Sequence, residues 1–241
     1  MIKVFLWAAL CFCPACQGQD ITQQLRAAER ALNAGKSAEA LRRFDALLQQ
    51  APEHERALVL RSKAKYQLQD YPGALADARC VLATDSGRVT PHDYTALLNA
   101  GIASNSLRQF APARRYLTQA KALDSTDVRL YENIGYSWLE EQNYTEAAAE
   151  FARAVRVDPG AKRCFYGLGK AWMLLTHYPE AIRAYDRAVA LDPGYAMAYQ
   201  NRASAKYLMQ DIVGCCADLQ RCEELGLKNP ALAAFREQVC H

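Results

Sequence analysis

Tyr131-x-x-Ile134-Gly135-x-x-Trp138, Ala147-x-x-x-Phe151-x-x-Ala154 and Asp158-Pro159 are followed, 34 residues on, by Phe165-x-x-Leu168-Gly169-x-x-Trp172, Ala181-x-x-x-Tyr185-x-x-Ala188 and Asp192-Pro193. Every landmark keeps its offset. A fixed period of this length predicts stacked helical hairpins, because one unit is too small to bury its apolar face and must lean on its neighbours. Sliding the frame outward gives copies at 21–54, 55–88, 94–127, 128–161, 162–195 and 196–229, with an insert at 89–93 and a tail at 230–241.

The spacing has a physical reading. Apolar residues at steps of three and four in the first half of each copy share one helical face. The small residue after the aliphatic one (Ala28, Ser62, Gly101, Gly135, Gly169, Ala203) lets a second helix approach. That helix answers with Ala40, Ala74, Ala113, Ala147, Ala181 and Cys215. Phe44, Phe151 and Tyr185 are placed to fill the space between neighbouring hairpins. Pro52, Pro159 and Pro193 fall where the second helix must stop, since proline lacks an N–H and bars helix before it. Some copies depart from the pattern: Ala78 and Leu117 hold aromatic positions, and Arg202 and Lys206 hold aliphatic and aromatic ones. Asn229-Pro230 is a helix-start signal and predicts a capping helix over 230–241.

These residues resemble the tetratricopeptide repeat, a helix–turn–helix unit, over nearly all of the chain after the leader. The resemblance implies an all-α, right-handed superhelical solenoid of six hairpins closed by that C-terminal helix. It also implies a protein- or peptide-binding scaffold rather than an enzyme, since such arrays bind other proteins along an inner face lined by the first helices.

Met1-Ile2-Lys3, the apolar run at 4–13 and the small, polar exit Pro14-Ala15-Cys16-Gln17-Gly18 have the layout of a secretory signal peptide spanning 1–18, with cleavage at 15–18. The run is short for a membrane span. Lipidation of Cys16 is the alternative, although Cys13-Pro14-Ala15 fits a lipobox poorly; a retained signal segment is a third. The expected locations are therefore periplasmic or secreted, with membrane contact only through such an anchor. Of nine cysteines, six follow the leader, and an exported compartment permits disulfides. Cys215 and Cys222 sit in positions that other copies fill with small or aliphatic residues, which reads as buried thiols. Cys216 faces the expected capping helix, and Cys216 and Cys240 flank the turn near Lys228 about equally, so they are the expected bond. Cys80 and Cys164 lie in distant copies and are expected to be unpaired.

No nucleophile elbow, zinc-protease helix, phosphate loop or dinucleotide fingerprint occurs, and Gly167-x-Gly169 lies inside a repeat helix. The cysteines lack the paired spacing of structural zinc, so neither metal nor cofactor is expected. A net charge of +3 from 29 basic and 26 acidic residues, spread along the chain, offers no nucleic-acid footprint.

Inner-face positions of the first helices include Leu98, Asn99 and Ile102, then Arg129, Glu132, Asn133 and Tyr136, then Arg163, Tyr166 and Lys170, then Gln200, Asn201 and Ser204. Asn99, Asn133 and Asn201 share one position in their copies, and an amide offers both a donor and an acceptor to an extended peptide. Arg129, Arg163 and Lys170 are expected to meet a carboxylate. The pattern partly resembles the carboxylate clamp of chaperone-docking repeats, but Leu98, Ile102 and Gly167 stand where that clamp has polar or basic residues, so clamp function is not carried over. The expected groove is Asn99, Arg129, Asn133, Tyr136, Arg163, Tyr166, Lys170 and Asn201. The alternative role is a structural or assembly spacer in an envelope complex, contacting partners through edges or the convex face.

Overall fold

The computed structural model describes residues 14–83, 90, 92–227 and 229–240. The expected leader lies outside the described residues up to position 13, as do the side chain of Cys16, positions 89 and 91 of the expected insert, and His241. Among the described residues there are thirteen α-helices and no strand: α1 (Pro14–Asn33), α2 (Ser37–Gln50), α3 (Glu55–Gln67), α4 (Tyr71–Ala83), α5 (Asp93–Ser106), α6 (Phe110–Leu123), α7 (Val128–Glu140), α8 (Tyr144–Val157), α9 (Lys162–Leu174), α10 (Tyr178–Leu191), α11 (Ala196–Leu208), α12 (Ile212–Glu224) and α13 (Pro230–Val239). None is long and apolar enough to cross a membrane. The helices fall into two compact units, one ending at Ala103 and one beginning at Ser104.

In the first unit α1 packs on α2, α2 on α3 and α3 on α4. In the second, α7 packs on α8, α9 on α10 and α11 on α12, while α8–α9 and α10–α11 join successive hairpins. This is the pairwise packing of a helical-repeat solenoid. Some first helices also touch the next, α1 on α3 in the first unit and α7 on α9 and α9 on α11 in the second.

The turns inside the hairpins are alike. Gly35, Gln69, Arg108, Gln142, Thr176 and Gln210 all have left-handed φ, from 57° to 74°. The residue after each sends its N–H back five positions: Asp70 to the Lys65 carbonyl, Asn143 to Trp138 and His177 to Trp172, each at 2.9 Å. This closure satisfies carbonyls that the helix end leaves unpaired, and it requires the left-handed residue.

The core explains the small residues. Phe151 is fully buried between two glycines. A Cβ on Gly135 would sit 2.9 Å from its ring, and one on Gly167 only 2.5 Å. Gly169 lies as close to the ring of Tyr185, which is also fully buried. Ser62, at the small position of the second copy, is buried and donates its hydroxyl to the Ala74 carbonyl at 2.7 Å, so the departure there carries a bond between the two helices.

Arg202 and Lys206 hold positions where apolar residues were expected because both meet Asp218, a buried carboxylate on α12, at 2.5 and 2.9 Å. Arg202 also reaches Asp186 in the preceding hairpin at 2.6 Å. The second copy repeats this quartet: Arg61 and Lys65 meet the buried Asp77 at 2.8 and 2.9 Å, and Arg61 meets Asp45 at 2.8 Å.

At the C-terminal end the Asn229 side chain accepts the N–H groups of Ala231 and Leu232, capping α13. Leu232, Phe235 and Cys240 pack against Ala203, Cys215 and Leu219. The structure joins Cys216 to Cys240, with Cα atoms 5.7 Å apart. Cys164, Cys215 and Cys222 are buried free thiols, and Cys80 is exposed.

Candidate functional site

The first helices of the second unit carry a cluster of phenols and charges. Glu132 and Tyr136 come from successive turns of α7, Arg163 and Tyr166 from the first turns of α9, and Tyr195 from the residue that precedes α11. Steps of three and four place each pair on one face of its helix. Tyr166 stacks at a tilt on Tyr195, with centroids 5.2 Å apart, and lies 6.0 Å from the buried Tyr185. Tyr136 meets Phe151 edge-on at 5.1 Å, so the ring that fills the core between hairpins also supports the cluster from below.

Arg163 Nε lies 2.8 Å from Glu132 Oε1. The contact is close but poorly aligned, because the buried Oε1 accepts no directed hydrogen bond. Its two partners differ in exposure: 67% for the arginine side chain and 13% for the glutamate. Burial raises the Glu132 carboxyl above the ordinary carboxylate range, with the Arg163 charge opposing it. Burial likewise raises Tyr136 and Tyr166 above the ordinary phenol range, and pushes Tyr195 up to about 12. These hydroxyls are neutral hydrogen-bonding groups at any physiological pH.

Each of the three asparagines already donates a hydrogen bond within the chain. Asn99, in the first unit, donates to the Val59 carbonyl at 3.1 Å. Asn133 donates to the carbonyl of Arg129, one turn back, at 2.8 Å. Asn201 donates to Tyr166 Oη at 2.9 Å and to the Met197 carbonyl at 3.0 Å. One amide N–H of each thus ties first helices together or closes a turn, and Asn201 uses both. Arg129 is held by Asp127, the residue that caps its own helix, at 2.5 Å. Leu98 is a core residue, not a groove residue. Lys170 is half-buried on α9, two turns beyond Arg163. Of the eight expected groove residues, Tyr136, Arg163, Tyr166 and Asn201 converge; Glu132 and Tyr195 complete the cluster. Tyr195 escapes a reading confined to helical positions, because it sits in the turn between hairpins.

The tetratricopeptide repeat family profile matches residues 25–89, 106–162 and 133–196. No curated protein sequence matches. Among solved structures, the chain is similar to Pseudomonas aeruginosa pilF, with TM-score 0.76 and 16% identity over 92% of this chain and 98% of that one. It is similar to a chain of the APC/C hetero-tetramer Cut9–Hcn1, with TM-score 0.74 and 16% identity over 92% of this chain and 43% of that one. A third is YrrB, described as a TPR protein with an unusual peptide-binding site, with TM-score 0.61 and 21% identity over 79% of this chain and 97% of that one. At these identities the likeness concerns the fold.

Proposed function

The chain belongs to the tetratricopeptide repeat family, and from that premise we propose that it is an exported, non-enzymatic scaffold that binds an extended segment of a partner protein. The observation that carries the proposal is the cluster of Tyr136, Tyr166 and Tyr195 around Glu132 and Arg163, on first helices that touch one another. Aromatic and arginine side chains are enriched in binding patches because they supply large contact area at low entropic cost. The peptide-binding site described for YrrB is in keeping with this use of the fold. The basic start and the apolar run at 4–13 support export, with Cys16 as the candidate lipid attachment point. In an oxidising compartment the Cys216–Cys240 pair would be a bond that pins α13 to α12.

The test is partner capture from an envelope extract by the full chain and by the double variant Asn133→Arg, Asn201→Arg. Its two long side chains block the face without entering the core. Loss of the captured partner is expected, with the helical circular-dichroism spectrum retained and the melt lowered by no more than the lost amide bonds, about 1 kcal/mol each. Unchanged capture would reject the groove. One observation favours the second reading, contact through an edge: Leu208, Met209, Ile212 and Val213 are all exposed at the turn between α11 and α12, Val213 at 84%. Capture that survives the groove variant but is lost in Ile212→Asp, Val213→Asp would move the function to that edge.

A further inference from the structure

Resting on that reading of the groove, the geometry points to the chemistry of its ligand: we propose that the partner inserts a cationic side chain, arginine or lysine, over the rings of Tyr136, Tyr166 and Tyr195 and onto Glu132, displacing Arg163. Positive side chains of α9 suggest the opposite at first sight, an acidic ligand. The structure disfavours that. Arg163 is already engaged, and its counter-charge Glu132 is the more deeply seated of the two. Glu132 Oε1 is buried and lacks an aligned donor, so the site holds an acceptor that its own chain meets only by the ion pair to Arg163. A buried carboxylate without a good donor is unfavourable, and a ligand cation with free choice of approach removes the defect.

The surroundings suit a cation. Tyr136 lies one turn from Glu132 on α7, and Tyr166, on the helix of Arg163, stacks on Tyr195. Aromatic faces attract ammonium and guanidinium groups most strongly where water is excluded. Tyr195 already carries Lys162 Nζ at 6.0 Å from its ring centre, while that ammonium is held 2.6 Å from Asp192. Arg163 is thus a stand-in for the ligand: it is largely exposed and badly aligned, and it gives up its place when an incoming cation takes over the pairing with Glu132. Lys170, two turns further along α9, does not occupy the same place.

The probe is a set of ten-residue peptides of alternating Ala and Ser, identical except for Arg, Lys, Gln or Glu at the centre, titrated against the full chain by fluorescence anisotropy. Arg and Lys peptides are expected to bind about tenfold more tightly than the Gln peptide, the size of a partly desolvated cation–aromatic contact. Glu132→Gln should weaken the preference, leaving only the contribution of the rings, without shifting the thermal melt. Arg163→Gln should tighten binding of the basic peptides, because it removes the internal competitor; a merely structural role for the pair predicts no gain. Preference for the Glu peptide, lost in Arg163→Gln, would overturn the inference and leave the groove standing. Binding indifferent to the central charge and to Glu132→Gln would do the same. Absence of binding by every peptide, with the edge variant alone losing the natural partner, would overturn the groove and the inference together.

Discussion

At the residue scale, two kinds of glycine separate cleanly. Gly167 is small because Phe151 occupies its side-chain space, and a Cβ would meet the ring at 2.5 Å. Gly35 faces open space but has φ of +74°. Gly167→Ala should therefore lower stability by about 1–3 kcal/mol through overpacking. Gly35→Ala should cost about 1 kcal/mol through backbone strain alone. Urea unfolding followed by circular dichroism measures both. The thiols divide by the same reasoning from surroundings. Burial pushes Cys164 up to about 12 and Cys222 up to about 11. These thiols stay protonated and unreactive at pH 8, whereas the exposed Cys80 does not share their burial. Iodoacetamide at pH 8 should label Cys80 in the native protein and reach Cys164, Cys215 and Cys222 only after denaturation. The sign also fixes a pH dependence: unfolded thiols ionise near 9 while the folded ones do not, so their contribution to stability is present below pH 9 and is lost as pH rises from there toward 11 or 12.

At the scale of elements, the two charge quartets hold neighbouring helices. Asp218 answers Arg202 and Lys206 from a buried position, and Asp186 answers Arg202 from an exposed one. Removing one side of a buried pair leaves uncompensated charge, so Asp218→Asn should cost about 3–5 kcal/mol. Asp186→Asn should cost under about 1 kcal/mol. Denaturation midpoints of the two variants give the comparison. Reducing the bond between Cys216 and Cys240 should remove up to about 3.5 kcal/mol of local stability in the chain-entropy estimate. Hydrogen exchange should show the loss in α12 and α13, with the first unit unchanged. The helices and their order were legible in the chain because the 34-residue period fixes position with redundant landmarks. The quartets were not. Arg202 and Lys206 looked like faults in an apolar pattern when taken singly. The available signal was joint: Arg61 and Lys65 depart at the same positions of another copy, and Asp77 and Asp218 accompany them on the facing helix. The bonds of the asparagines were hidden for a related reason. A shared position says which face a side chain is on, but the hydrogen bonds of Asn99 to Val59 and of Asn201 to Tyr166 depend on neighbouring helices that periodicity does not locate atom by atom.

At the scale of the whole molecule, the proposal is that repeated packing leaves one face of the first helices for a partner. That face in the second unit combines rings with a buried carboxylate that is held only by a poorly aligned, exposed arginine, while α13 packs against the last hairpin. Site-specific photo-crosslinking in the native cell tests this most directly, with a benzoylphenylalanine placed at Asn133 or Lys170 on the first helices, or at Ala149 or Arg183 on the second. The account predicts one recurrent partner crosslinked from positions 133 and 170, at a segment containing arginine or lysine, and none from 149 and 183. Crosslinks arising from 149 and 183 alone, or equally from all four positions, would contradict it.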